Sequence, residues 1–129
     1  MIRRPSRSCR AGVFTRRNQD AGAANYYSSG PLPIKAQFNA PLEGPALLIV
    51  TSSLSSTVAN VMMQLAVTLD GTQIASGQTW SNGPTTHRVL PTLFIGFNLT
   101  PGQHTLTLTL GGNGVTSDLN DSFNASLIY

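Results

Sequence analysis

Few side chains in this sequence can do chemistry, and their spacing limits which chemistry is open to them. His87 and His104 are the only histidines and Cys9 is the only cysteine. A zinc centre needs three or four nitrogen, sulfur or oxygen ligands, and the cysteine lies far along the chain from both histidines. Serine is abundant, but no G-x-S-x-G nucleophile elbow or similar frame exists to activate one. Neither enzymatic activity nor a cofactor is therefore expected. Asp118, Asn120 and Asp121 form the densest oxygen cluster, a weak calcium candidate if backbone carbonyls completed the shell. The EF-hand spacing and its glycine are missing, and Asx residues ahead of a strand more often bond their own backbone. A structural turn is the expectation there.

Two further sets could bind rather than react. Trp80, flanked by Gln78, Ser81 and Asn82, offers an aromatic face beside amide and hydroxyl donors, the combination a sugar ring needs. The alternative is that a lone loop tryptophan packs the end of a core. Arg3, Arg4, Arg7, Arg10, Arg16 and Arg17 could neutralise phosphate, as basic arms of capsid proteins do. They could equally pair with acidic patches of adjacent subunits. Their dispersal among Ser, Gly and Pro, with no row of stacking aromatics, favours protein docking over nucleic acid. The apolar islands at Phe14 and at Tyr26 and Tyr27 would dock with them. Sequons at Asn98, Asn120 and Asn124 are expected to be empty, because the N-terminus lacks the apolar region of a secretory signal.

Charge divides the chain. The six arginines and Lys35 against Asp20 give residues 1–35 a net +6, whereas Arg88 against Glu43, Asp70, Asp118 and Asp121 leaves the remainder at −3. The overall +3 thus describes an N-terminal arm and not the domain. Charged residues make up only 10% of the 129, against ~25% in typical globular proteins, so hydroxyls and amides carry the polar surface. No apolar run approaches the ~20 residues of a membrane helix, so no membrane partner is expected. With one cysteine, the fold must stand on packing without an internal disulfide.

The elements that must position these residues read as strands. Ile34 to Ala40, Asn60 to Leu69, Val89 to Leu99, His104 to Leu110 and Ser122 to Tyr129 alternate apolar and polar residues. Ala46 to Val50 is a continuous apolar run, expected to leave the sheet as a polar loop over Thr51 to Thr57. Asp70-Gly71 is the strongest short hairpin signal, and Thr72 to Ser76 returns from it. Pro91 demotes the start of its segment to an edge or bulge. Gly77 to Thr86 reads as loop, with Trp80 inside it. His104 to Leu110 and Ser122 to Tyr129 read as a core pair, with Leu106, Leu108 and Leu110 facing Phe123, Leu127 and Tyr129. Residues 1–33 show no sustained periodicity. The pattern predicts an all-β, two-sheet antiparallel sandwich of jelly-roll type over residues 34–129, preceded by an extended basic arm and linker over 1–33.

From about Ala46 onward the chain resembles the short jelly-roll-type domains of phage tail, fibre and related virion appendage proteins. Val67 to Ile74 (VTLDGTQI), Leu99 to Leu110 (LTPGQHTLTLTL) and Ser117 to Phe123 (SDLNDSF) carry the likeness. The order of its last strands is also similar to the second half of the C1q/TNF-like sandwich, whose domains are commonly trimers. The resemblance implies a non-enzymatic structural part of a phage or phage-like particle. On that reading the protein resides in the virion, on the particle surface or tail, as a homo-oligomer of trimeric or higher symmetry. Other virion structural proteins would hold it through the arm. Two alternatives stand beside it: a glycan- or receptor-binding adhesin module using Trp80, Gln78 and Asn82, and a small capsid or decoration protein with a basic arm.

Overall fold

The structure, a computed structural model, describes residues 15–18, 23–111 and 115–129. Arg3, Arg4, Arg7, Arg10, Phe14 and Cys9 lie outside these residues, and the side chains of Arg16 and Arg17 are likewise not described. Among the described residues eleven strands follow in order: β1 (Thr15–Asn18), β2 (Ala23–Ser29), β3 (Ile34–Ala40), β4 (Gly44–Ser56), β5 (Val61–Leu69), β6 (Thr72–Ser81), β7 (His87–Val89), β8 (Leu93–Leu99), β9 (Gly102–Gly111), β10 (Val115–Thr116) and β11 (Ser122–Ile128).

They form two antiparallel sheets. In the first, β1, β2, β11 and β4 lie side by side, and β8 runs along the other edge of β4. The far half of β4 takes β7 and β10 on opposite edges, because Ser55 pairs with both His87 and Thr116. The second sheet is β3-β9-β5-β6. From β2 onward the chain passes repeatedly between the sheets, with β2, β4, β8 and β11 in one and β3, β5, β6 and β9 in the other. This is the eight-stranded jelly roll, and it confirms the all-β sandwich expected from alternation.

The core follows the pleat. Ile34, Ala36, Phe38 and Ala40 of β3 are all buried, as are Met63, Leu65 and Val67 of β5, Leu106 and Leu108 of β9, and Phe123, Ala125 and Leu127 of β11. Asp70 and Gly71 close the β5–β6 hairpin with φ of 51° and 84°, the double positive φ of a type I′ turn. Pro91 stands between β7 and β8, where its missing N–H interrupts no ladder.

Four expectations require correction. Residues 23–29 are not linker: β2 pairs with β11 from Ala23↔Ile128 to Ser29↔Ser122, so part of the supposed arm belongs to the sandwich. Tyr26 is therefore a core residue, 3% exposed, not a docking island, while Tyr27 points to the outer face and is half-buried. Thr51 to Thr57 is not a loop either, since β4 continues to Ser56 with Ser52, Ser55 and Ser56 buried. Hydroxyls can hold interior strand positions when they find partners: Ser55 Oγ lies 2.9 Å from Thr116 Oγ1 and Ser56 donates to the Val58 carbonyl. Likewise β6 extends to Ser81 and carries Trp80 on the sheet. Finally, β9 and β11 are not hydrogen-bonded neighbours. Each lies within a different sheet, and their apolar faces meet across the core as expected, with Leu110 left at its exposed rim.

Candidate functional site

The outward face of the β3-β9-β5-β6 sheet can be built row by row, because residues paired across antiparallel strands project to the same side. Met62 is opposite Trp80, Gln64 opposite Gln78, Ala66 opposite Ser76, and Thr68 opposite Gln73. On the other flank of β5, Gln64 meets Gly111, Ala66 meets Thr109 and Thr68 meets Thr107. Beyond β9 come Lys35, Gln37 and Asn39. The inward residues of these strands fill the core, so the outward ones form a sheet-wide carpet of amides and hydroxyls. Trp80 and Met62 stand at one end of it.

Trp80 is 50% exposed on β6, an edge strand. It does not pack the end of the core. Gln78, two residues earlier, shares its face, and Asn82 is exposed just past the strand end. Sequence reading missed Met62, Gln64 and Thr109, whose places beside Trp80 are fixed only by the strand register. The Gln64 side chain lies across Gly111, where an added Cβ would come within 3.1 Å of it. Gln64 and Gln78 make no side-chain hydrogen bond to a described residue, unlike Gln103 at the other end of β9, which donates to Gln37 at 3.2 Å. Among the described residues of this face Lys35 is the single charge.

The oxygen cluster before β11 is a knotted turn. Buried Asp121 accepts from Ser53 Oγ (3.0 Å) and lies 2.8 Å from His87 Nδ1 through one carboxylate oxygen, and accepts from the Asp118 N–H (3.0 Å) through the other. Asp118 accepts from the Asn120 N–H at 2.8 Å. The side-chain oxygens expected to be weak calcium ligands are thus largely spent on the turn itself, in line with the Asx-turn expectation. His87 joins the group unforeseen: Asp118, Asp121 and His87 each offer a ligand atom within 4.8 Å of the others. Its Nε2 is 3.6 Å from Asp118. The hydrogen bond to Asp121 raises the His87 pKa above its ordinary value, helped by both carboxylate charges and opposed by burial. Although Ser53, His87 and Asp121 are the residue types of a hydrolase triad, Ser53 donates to the aspartate and not to the imidazole. No base therefore activates it.

A second histidine–aspartate pair closes the other end of the sandwich. His104 Nδ1 lies 2.6 Å from Asp70 Oδ2, and its Nε2 lies 2.7 Å from the Thr100 carbonyl. Only the imidazolium can donate at both nitrogens. The Asp70 hydrogen bond and then the Thr100 carbonyl raise the His104 pKa against the opposing effect of burial. Burial acts to raise the Asp70 pKa, but the bonds from His104 and the Thr105 N–H, with the imidazolium charge, bring it below the ordinary value. Nearby, Pro41, Leu42, Pro45, Leu99 and Tyr129 line an open apolar cleft of about 490 Å³, with Glu43 at its edge.

The opposite outer face differs in character. Phe94 of β8 is 70% exposed. Its row runs through Ile49 to Ser126, and the adjacent row runs from Gly96 through Leu47 to Ile128.

No family model matches the sequence, and no curated protein matches it. Among solved structures, a region of dimeric latent PorU from Porphyromonas gingivalis is similar over 74% of this chain, with a TM-score of 0.51 and 10% identity. The chain spans only 10% of that protein. The family 35 carbohydrate-binding module from Cellvibrio japonicus Abf62 is similar over 95% of this chain and 80% of its own length, with a TM-score of 0.45 and 13% identity. A native family 35 carbohydrate-binding module from Clostridium thermocellum covers 88% of this chain and 86% of its own, with a TM-score of 0.45 and 15% identity. At these identities the likeness concerns the fold alone.

Proposed function

We propose that this domain is a carbohydrate-binding module with no chemistry of its own, and that Trp80 is its principal contact. The observation carrying this reading is a half-exposed tryptophan held on a rigid strand, beside two glutamine amides that no described residue engages. The C–H edges of a sugar ring carry slight positive charge and suit the negative face of an indole, while ring hydroxyls match the unpaired amides in both donor and acceptor sense. Mounting the contact on a strand leaves little conformational freedom to lose on binding. Gln78 and Asn82 flank Trp80 as supporting contacts, and Met62 backs it across the ladder.

The virion reading has no finding behind it of comparable kind. Of the arm on which it relied, Arg3, Arg4, Arg7, Arg10 and Phe14 lie outside the described residues, and Tyr26 is committed to the core of its own domain.

Because Trp80 is the only tryptophan in the chain, its fluorescence reports on the site without labelling. A glycan array identifies the ligand, and titration of the intrinsic fluorescence then measures affinity. The expected result is saturable binding that Trp80→Ala weakens by about tenfold or more, consistent with loss of a tryptophan hot spot. An array without binding, or a Trp80→Ala variant that binds as well as the parent, overturns the reading.

A further inference from the structure

We infer that the Trp80 face takes an uncharged, linear glycan laid along strands β5 and β6, not a terminal sugar held end-on. The inference rests on the glycan-binding reading above and adds the ligand class and its direction.

Three features of the face carry it. The first is the relief of the strands beyond Trp80. After the Met62–Trp80 row and the Gln64–Gln78 row come Ala66, Ser76 and Thr109, side chains too short to rise from the sheet, and then Thr68, Gln73 and Thr107. The face is thus high at the tryptophan and low at the Ala66–Ser76 row, with Gln73 the one long side chain beyond it on these strands. From Met62 to Thr68 the floor extends about 20 Å at the rise of an antiparallel strand, room for several sugar rings in line where a single ring would leave most of it uncovered.

The second feature is charge. Acidic glycans are bound through charge-assisted hydrogen bonds from Arg or Lys. On this face the described residues supply only Lys35, on the strand farthest from Trp80. They supply no carboxylate that would favour a cationic sugar. Amides and hydroxyls of mixed donor and acceptor capacity match a ligand of the same neutral kind.

The third is access. β6 is an edge strand of its sheet, so a chain running along β5 and β6 meets no further strand of that sheet at either end or sideways. An internal stretch of a polymer can therefore bind as well as its terminus.

The test is calorimetric titration of the whole protein with disaccharides and hexasaccharides of neutral β-1,4-linked glucan, mannan and xylan. Oligogalacturonate of matching length serves as the acidic counterpart. For at least one neutral chain, the hexasaccharide is expected to bind tenfold or more tightly than its disaccharide, and tenfold or more tightly than the galacturonate. Ser76→Lys and Thr109→Lys, which raise long side chains from the floor, should lower hexasaccharide affinity to the disaccharide level and leave the disaccharide unaffected. A thermal melt of each variant confirms that it is folded. If Trp80→Ala abolishes binding but chain length and the two lysine variants have no effect, the extended path is wrong and the glycan-binding reading stands. If the galacturonate binds as tightly as the best neutral chain, the neutral class is wrong. If no probe binds, or Trp80→Ala binds every probe normally, the inference falls together with the reading beneath it.

Discussion

Replacing Asp70 by Asn tests the account of the histidine clamp most directly. Asn tolerates the left-handed backbone of this position, so the hairpin keeps its turn, and the amide oxygen can still accept from the Thr105 N–H, now at 2.8 Å. What disappears is the negative charge 2.6 Å from His104. A hydrogen bond between charged groups contributes about 1.5–3 kcal/mol. The Asp70 side chain is nearly half-exposed, and solvent screening takes the expected loss to the low end, about 1–2 kcal/mol. That corresponds to a fall in melting temperature of about 4 °C per kcal/mol at this chain length. The pH dependence is the sharper signature. The His104 pKa is raised by folding, so its contribution is complete below its ordinary value and is lost as pH climbs through the folded value. The Asp70 pKa is lowered, so its contribution is present above the ordinary carboxylate value and is lost as pH falls through the folded value. Both are in force between about pH 4 and pH 6.5. Urea denaturation of parent and Asp70→Asn protein across the pH range should therefore show the largest difference in that window and a shrinking one in alkali. A difference that is the same at about pH 5.5 and about pH 9.5 would refute the protonated clamp.

Other perturbations probe the rest of the molecule. Gly30→Ala drives a Cβ into the Asp118 carbonyl oxygen, and forced repacking of this kind costs about 1–3 kcal/mol, readable in a thermal melt. Asp121→Ala removes the acceptor shared by Ser53, His87 and the Asp118 N–H. With three part-buried donors left unpaired, about 1–3 kcal/mol should be lost in denaturant, and NMR titration should show the His87 pKa falling toward its ordinary value. Trp80→Ala, by contrast, should change stability by no more than about 0.5 kcal/mol, as surface substitutions do; a larger fall by calorimetry would mean that Trp80 serves the fold.

How much of this was legible in the sequence varies by element. Ile34–Ala40 was readable to the residue, because strict alternation between core and solvent leaves one register. Asp70-Gly71 was readable because the backbone demands of the turn admit few residue types. The end of β4 was not, since serine is common in loops and only the Ser52-Leu54-Ser56 alternation signalled a strand. β2 was hidden for a similar reason: its inward residues Ala24, Tyr26 and Ser28 have no common polarity, so burial left no hydrophobic stripe. Trp80 was identified as a candidate contact, but its neighbours on β5 and β9 depend on long-range register that no local pattern encodes. Both histidine–aspartate pairs join residues 34 positions apart, and spacing along the chain offered no hint of either.

The position of β11 bears on how the chain can be made. Ser122–Ile128 lies between β2 and β4, bonded to both. During synthesis, β2 and β4 therefore wait with a missing strand between them, and the first sheet cannot close until residue 128 has left the ribosome. Closure of the domain thus waits on the last of its strands to be made. The same gap makes the molecule divisible: a chain ending before Ser122 should hold an open slot, and a free peptide spanning β11 is the one strand with the register to fill it.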